Sequence, residues 1–198
     1  QLRHVKSGMF ISLDNQRSAQ GTTKCMMVEL NNGSVGSAWK LHMRYKVHDE
    51  GDVISIGDQV YLQSTNISSC LHVNPNYDIG NGLCEINANK QGSSFRITHY
   101  APYISKAAMR ECLLGGQEVR IYNKESEGHL SSSLSSMLQD TEVVNDSEKG
   151  NVSTNVVLVP TIDDNKVGLS KSLFRVEMTH EYGGLALYKD RYRLRHVN

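Results

Sequence analysis

The side chains best suited to chemistry in this sequence are scattered. Its eight histidines (His4, His42, His48, His72, His99, His129, His180 and His196) never fall at H-x-x-x-H or H-E-x-x-H spacing, so no helix face presents paired imidazoles to a zinc ion. The four cysteines (Cys25, Cys70, Cys84 and Cys112) stand far apart without a C-x-x-C pair, which argues against a zinc knuckle or a thioredoxin-like motif. They read as free thiols in a reducing cytosol. No G-x-x-x-x-G-K-[ST] loop is present to hold nucleotide phosphates. No nucleophile, base and orienting group come together in a pattern that would catalyse. What remains is non-covalent recognition, with no cofactor and no metal. Two basic groups are candidates: Arg120 with Lys124, and the run Lys189, Arg191, Arg193, Arg195 and His196. The second alternates along a strand, so a solvated sheet face accounts for it as well as a phosphate or subunit contact does.

Charge and hydropathy narrow the partners. The 21 basic residues cancel 21 acidic ones, so no broad positive field attracts nucleic acid or anionic membranes. No apolar run reaches the roughly 18 to 20 residues that cross a bilayer, and nothing resembles a cleaved leader. The chain opens on Gln1 and stops inside a strand-like stretch, Asp190 to Asn198. It reads as part of something longer, with any membrane link elsewhere. Three Asn-x-Ser triplets, at Asn66, Asn145 and Asn151, arise readily by chance in a chain rich in Asn and Ser.

Short β-branched and aromatic runs alternate with Gly, Asn, Asp and Ser throughout, which predicts many short strands joined by tight turns. Only Pro102 to Leu114 has a helical composition, ended by Gly115-Gly116. One strand-opening pattern recurs four times, aligning Leu2, Leu62, Ile121 and Leu194. Its first three copies lead into a second strand: Met9 to Leu13, Cys70 to Val73, and Gly128 to Leu130. Each of those copies closes on a Ser-x-aromatic-basic-aliphatic strand, which places Trp39, Phe95 and Phe174 as buried ends. His4 and His196 occupy matching positions, a sign of a structural role. The third copy is longer by about twenty residues. Its surplus, residues 131–155, has seven Ser and neither aromatic nor Pro, the composition of a mobile surface loop. A unit of this size cannot hide its apolar face alone, so three copies closing around a threefold axis predict an all-β β-trefoil. The helical connector suggests a boundary, with parts of two trefoils at residues 1–105 and 115–198.

With their leading Gly-Asp or Gly-Gly, at Ile56 to Leu62 and Leu114 to Tyr122, the copies resemble MIR repeats. The colinear series Leu2 to Gly8, Val53 to Asp58, Gly80 to Asn87 with Ser94 to Ile97, and Gly115 to Tyr122 resembles the N-terminal region of inositol trisphosphate receptors, with ryanodine receptors second. The resemblance implies a suppressor-like trefoil followed by the start of a ligand-binding one. It implies a tetrameric calcium-release channel of the endoplasmic reticulum membrane, this segment on the cytosolic side and in contact with neighbouring subunits, coupling inositol trisphosphate binding to gating.

Three phosphates demand several Lys or Arg side chains to offset desolvation. The resemblance places one at Arg120. Where it expects a lysine stands Gly128, with Lys124 the only basic side chain between. Where it expects a basic Thr-Thr-Gly loop, the chain reads Val159-Pro160-Thr161-Ile162-Asp163-Asp164, leaving Thr161 as a remnant beside two repelling carboxylates. Arg120, Lys124 and Thr161 are the expected inositol phosphate contacts, and they predict weak capture by this segment alone. Two other functions fit a trefoil. A ricin-type sugar binder needs Gln-x-Trp in each repeat, whereas the sole tryptophan, Trp39, follows Ser37-Ala38. A MIR module of a mannosyltransferase or other secretory-pathway protein predicts a luminal setting.

Overall fold

The computed structural model describes residues 1–19, 21–45, 49–80, 82–100, 112–132, 154–160, 169–177, 184–187 and 191–192. Within them lie strands β1 (Leu2–His4), β2 (Phe10–Ala19), β3 (Thr22–Asn31), β4 (Trp39–Met43), β5 (Gln59–Ser64), β6 (Cys70–Asp78), β7 (Cys84–Asn89), β8 (Phe95–His99), β9 (Glu118–Asn123), β10 (Gly128–Ser132), β11 (Thr154–Pro160), β12 (Phe174–Val176) and β13 (Arg191–Tyr192). Single helical turns at Val35–Ser37 and Leu169–Ser172 precede β4 and β12.

The threefold repeat is visible in the register. The barrel strands run β1-β12-β9-β8-β5-β4, all antiparallel neighbours. The recurring aliphatics meet equivalent partners, Leu2 opposite Val176, Leu62 opposite Leu41 and Ile121 opposite Ile97. These six residues line a cavity of about 20 Å³ that presents only apolar atoms, room for about one water-sized sphere and chemically dry. Trp39, Phe95 and Phe174 are all buried, as their repeat positions predict, and Trp39 satisfies its indole N–H on the Ile11 carbonyl at 3.0 Å.

Each sector also sends out a hairpin: β2–β3, β6–β7 and β10–β11. The second strands of these hairpins pair cyclically, β3 with β7, β7 with β11, and β11 with β3. They make a triangular cap on the barrel, so the whole is a β-trefoil. The opposite end closes through three buried residues. Ile54 N–H donates to the Ala186 carbonyl at 2.8 Å, Ala186 N–H to Leu113 at 2.9 Å, and Leu113 N–H to Ile54 at 2.8 Å. This ring satisfies backbone groups that water cannot reach.

The Gly-Asp and Gly-Gly openers now have a physical reason. Gly57 (φ 97°) and Gly116 (φ 84°) hold the left-handed place in equivalent turns. In each turn the next side chain accepts from the first backbone N–H: Asp58 from Ser55 at 2.8 Å and Gln117 from Leu114 at 2.9 Å.

Several expectations meet the structure unevenly. Most of the helical connector at 102–114 lies outside the described residues. Its described end is extended instead, because Leu113 is drawn into the closing ring and its neighbours Cys112 and Leu114 bridge Ser55 and Leu185. Strands from either side of the expected 105–115 boundary pair over four positions, Arg96–Tyr122 to His99–Val119, and one buried cluster runs from Leu2 to Ala186. Of the loop expected at 131–155, residues 131 and 132 belong to β10, and 154 and 155 to β11; the rest, like Leu194, lies outside the described residues.

Threefold equivalence carries an energetic expectation. Phe95→Ala and Phe174→Ala should each cost about 3–5 kcal/mol and agree within about 1 kcal/mol, because both rings fill the same place in successive sectors. Urea denaturation of the two variants beside the parent chain measures it; strongly unequal losses would contradict the equivalence.

Candidate ligand-binding face

The first residues of the three openers are Gln1, Tyr61 and Arg120; alternation along β5 and β9 turns Tyr61 and Arg120 away from the barrel interior, while Gln1 borders the central cavity. Arg120, half-buried in β9, donates its Nε–H to Ser172 Oγ at 3.1 Å. Ser172 is the closing serine of its sector, and in the first sector the Gln1 side-chain amide makes the matching bond to Ser37. Arg120 therefore occupies a repeat position whose side chain reaches the sector's own serine. Its backbone carbonyl accepts from Thr98 at 3.3 Å. The strand position fixes its direction, and the serine fixes its head.

Lys124 is exposed in the turn between β9 and β10. It sits among carboxylates: Glu125 and Glu127 share the turn, and Glu127 takes the left-handed conformation at φ 46°. Glu125 Oε1 lies 3.0 Å from Arg44 Nη1. Arg44, beyond the end of β4, also bonds Gln59 Oε1 at 3.2 Å and the Ser94 hydroxyl. Its guanidinium thus joins the first, second and third sectors. Sequence reasoning passed over Arg44 because its partners are distant in the chain. The structure places Arg120 within β9 and Lys124 in the turn just past its end, and Thr161 lies outside the described residues.

Gly128 explains the missing lysine. It is buried at the start of β10, and a Cβ there would stand 2.7 Å from the Val159 carbonyl and 2.9 Å from Leu158. The close approach of β11 leaves no room for any side chain, so glycine is a packing requirement at this position.

The other reactive groups are held for structure. His4 Nδ1 accepts from the Ser7 N–H at 3.2 Å, while Nε2 meets the Lys171 carbonyl at 3.0 Å and Ser132 Oγ at 3.1 Å. The same task of receiving a turn N–H falls to Ser64 in the second sector and Asn123 in the third, at 3.2 and 2.7 Å. Burial pushes the Cys25, Cys70 and Cys84 thiols up, with Glu85 adding to the effect at Cys25 and Asp78 at Cys84. They are protonated at neutral pH and poor nucleophiles. Burial pushes His72 down, partly offset by the Glu125 carboxylate, and its Nδ1 lies 3.1 Å from Ser93 Oγ. Among the described residues no group of three His, Cys, Asp or Glu is placed to hold a metal ion.

Comparison with known proteins adds the following. Residues 1–106 match the family described as inositol 1,4,5-trisphosphate/ryanodine receptor. The fold is shared with the SDF2-like protein from Arabidopsis thaliana at a TM-score of 0.65 and 12% identity, covering 96% of this chain and 94% of that one. It is shared with a Caenorhabditis elegans protein of unknown function at a TM-score of 0.59 and 14% identity, covering 88% and 89%. A chain of the S. cerevisiae protein O-mannosyltransferase Pmt1-Pmt2 complex bound to the sugar donor also aligns, with a TM-score of 0.65 and 14% identity, over 95% of this chain and 26% of that one. At such identities the likeness is one of fold.

Gly128→Lys should not restore a phosphate contact. It should instead cost at least about 3 kcal/mol, because the side chain must displace β11 and a charge loses water; a calorimetric melt as stable as the parent's would contradict this. His72 gives a pH dependence. Its folded pKa lies below the ordinary 6.5, so its contribution to stability is present above 6.5 and is lost as pH falls through the lowered value. Urea midpoints measured between pH 7.5 and 5 should fall less steeply in His72→Gln than in the parent chain.

Proposed function

Because the chain belongs to the inositol 1,4,5-trisphosphate/ryanodine receptor family, by its match over residues 1–106, we propose that it is a cytosolic N-terminal regulatory and ligand-binding segment of an intracellular calcium-release channel of the endoplasmic reticulum. The family match is the observation that carries this reading. The role is binding and gating, with ligand energy spent on shifting an arrangement of packed bodies between two states. Such a role suits a rigid barrel braced across its sectors by Arg44.

In this reading Arg120 and Lys124, with Thr161, contribute part of the contact to inositol trisphosphate, and further Lys or Arg from elsewhere in the parent polypeptide supply the rest. Two cations beside Glu125 and Glu127 cannot neutralise three phosphates, and Gly128 has no room for a third. The partners are the ligand and the neighbouring subunits of a homotetramer. Among the described residues no helix is long and apolar enough to cross a membrane, so the channel's pore is assigned to other parts of the parent.

A second reading is a glycan-binding or secretory-pathway MIR trefoil. It is favoured by the near end-to-end alignment with the SDF2-like protein and by the alignment with a chain of the mannosyltransferase complex. The two differ in compartment. A luminal module should carry sugar on Asn66, Asn145 or Asn151 and oxidised thiols, whereas a cytosolic one keeps Cys25, Cys70, Cys84 and Cys112 reduced and those asparagines bare.

Isothermal titration of this chain with inositol 1,4,5-trisphosphate should give no measurable heat, and the full parent polypeptide should bind. Arg120→Gln in the full polypeptide should weaken binding by roughly tenfold, the loss of about one charge-assisted contact. A silent full polypeptide would refute ligand gating, and unchanged affinity in Arg120→Gln would refute the role of Arg120 alone. Mass spectrometry of the native protein, reading thiol state and glycosylation, decides between the two compartments.

A further inference from the structure

The outer face of the barrel carries its polar side chains in rows that the repeat makes comparable. One row runs Glu118, Arg175 and Arg3, across β9, β12 and β1. Each of its arginines has a carboxylate: Arg175 Nη2 lies 2.8 Å from Glu118 Oε1, and Arg3 Nη1 lies 3.7 Å from Glu177 Oε1. The matching row one sector earlier runs Gln59, Arg96 and Tyr122, across β5, β8 and β9. Gln59 and Glu118 stand three places before the recurring aliphatics Leu62 and Ile121, and Arg96 and Arg175 directly follow the buried aromatics Phe95 and Phe174. Arg96 is therefore the counterpart of Arg175, with a glutamine in the place of the glutamate. Both arginines bury an Nε without a hydrogen bond, but Arg175 has Glu118 on Nη2, whereas Arg96 has no ion pair among the described residues.

The strand on the other side does not fill the gap. Arg44 stands opposite Gln59, its backbone N–H on the Gln59 carbonyl at 2.9 Å and its Nη1 on Gln59 Oε1 at 3.2 Å. That bond occupies the side-chain acceptor of Gln59 and leaves its amide nitrogen as a donor. Arg44 and Arg96 thus flank Gln59, each one strand away at about 4.8 Å between strands, and the group offers donors with no acceptor left to meet them. Glu125, 3.0 Å from Arg44 Nη1, balances Arg44. The surplus is the single positive charge of Arg96.

We infer that Arg96 and Gln59 form a docking point for an acidic stretch of a partner protein, which lies across β5 and β8 with one Glu or Asp carboxylate on Arg96 and a backbone carbonyl on the Gln59 amide. The repeat itself names the carboxylate, since Glu118 already fills this place beside Arg175 at 2.8 Å. Charge agrees with it. A carboxylate carries the one negative charge that Arg96 lacks, whereas a doubly charged phosphate would overcompensate and face the Glu125 carboxylate. The row lies on the open outer face of the barrel, where a lone ion pair is worth little, so a free acid gains less there than a segment that brings its own carbonyl acceptor as well. The contact is the same whether the parent is a channel or a luminal protein.

The probe is a short peptide of alternating Glu and Ala, blocked at both ends, titrated into the whole chain while NMR follows the Arg96 Nε–H resonance. The expected result is a saturable shift with a dissociation constant on the order of millimolar, and no shift from the Gln-Ala analogue. Acetate, which brings no carbonyl for Gln59, should bind at least roughly tenfold more weakly. A silent Glu-Ala peptide overturns the docking point, and acetate equal to the peptide overturns the protein partner in favour of a free acid. Inorganic phosphate binding more tightly than the peptide overturns the carboxylate. Gln59→Glu gives an independent measurement, because it installs the carboxylate that Glu118 supplies in the next sector. It should abolish the peptide shift and raise the folding equilibrium constant by up to about fivefold, a gain that shrinks in the Arg96→Gln background. An equal gain with and without Arg96, or peptide binding retained in Gln59→Glu, overturns the proposal.

Discussion

No third of this chain can bury its own apolar face. A four-stranded sector offers one row of inward side chains, and only when three rows meet do Leu2, Leu62 and Ile121 find Val176, Leu41 and Ile97 instead of water. Each such side chain is worth roughly 1.5–3 kcal/mol once fully buried, so the barrel gains most of its stability in one cooperative step. The hydrogen-bond ring of Ile54, Leu113 and Ala186 at one end and the triangle of β3, β7 and β11 at the other follow from the same need. Both close backbone groups that three-sector packing removes from solvent.

That constraint decides what the polar residues are free to do. Residues that look chemical in isolation are held to the repeat: His4, Ser64 and Asn123 each receive a turn N–H, and Ser172 takes the Nε–H of Arg120. Arg120 arrives at the surface already oriented, which suits a fixed contact to an anion and gives little scope for proton transfer. Gly128 shows the same constraint as a prohibition, since the close approach of β11 that completes the third hairpin also excludes a basic side chain there.

In the proposed role this scaffold binds and transmits. Its sectors are tied by Arg44, which touches Gln59, Ser94 and Glu125 from three different parts of the chain, so a load on the β9–β10 turn is shared with the strand end before it. β1 pairs with β12, and β13 pairs with β4. Membership of the receptor family and these contacts across sectors suit the proposed role, in which the output is a change of arrangement.

Much was legible from residues in order. Alternating apolar positions, recurrent openers and glycine turns determined an all-β chain with threefold repetition, and named Trp39, Phe95 and Phe174 as core, because strand periodicity and turn conformation are local properties. What the order of residues left open was every partnership made at long range. Leu113 reads as helical beside Ala107 and Ala108, yet the tertiary ring with Ile54 and Ala186 draws it into extended backbone, since a buried N–H must find its acceptor wherever the fold puts one. The fit of Gly128 against Val159, the three-sector grip of Arg44 and the pairing of β8 with β9 were decided by packing between segments far apart in sequence, where no local propensity has a vote.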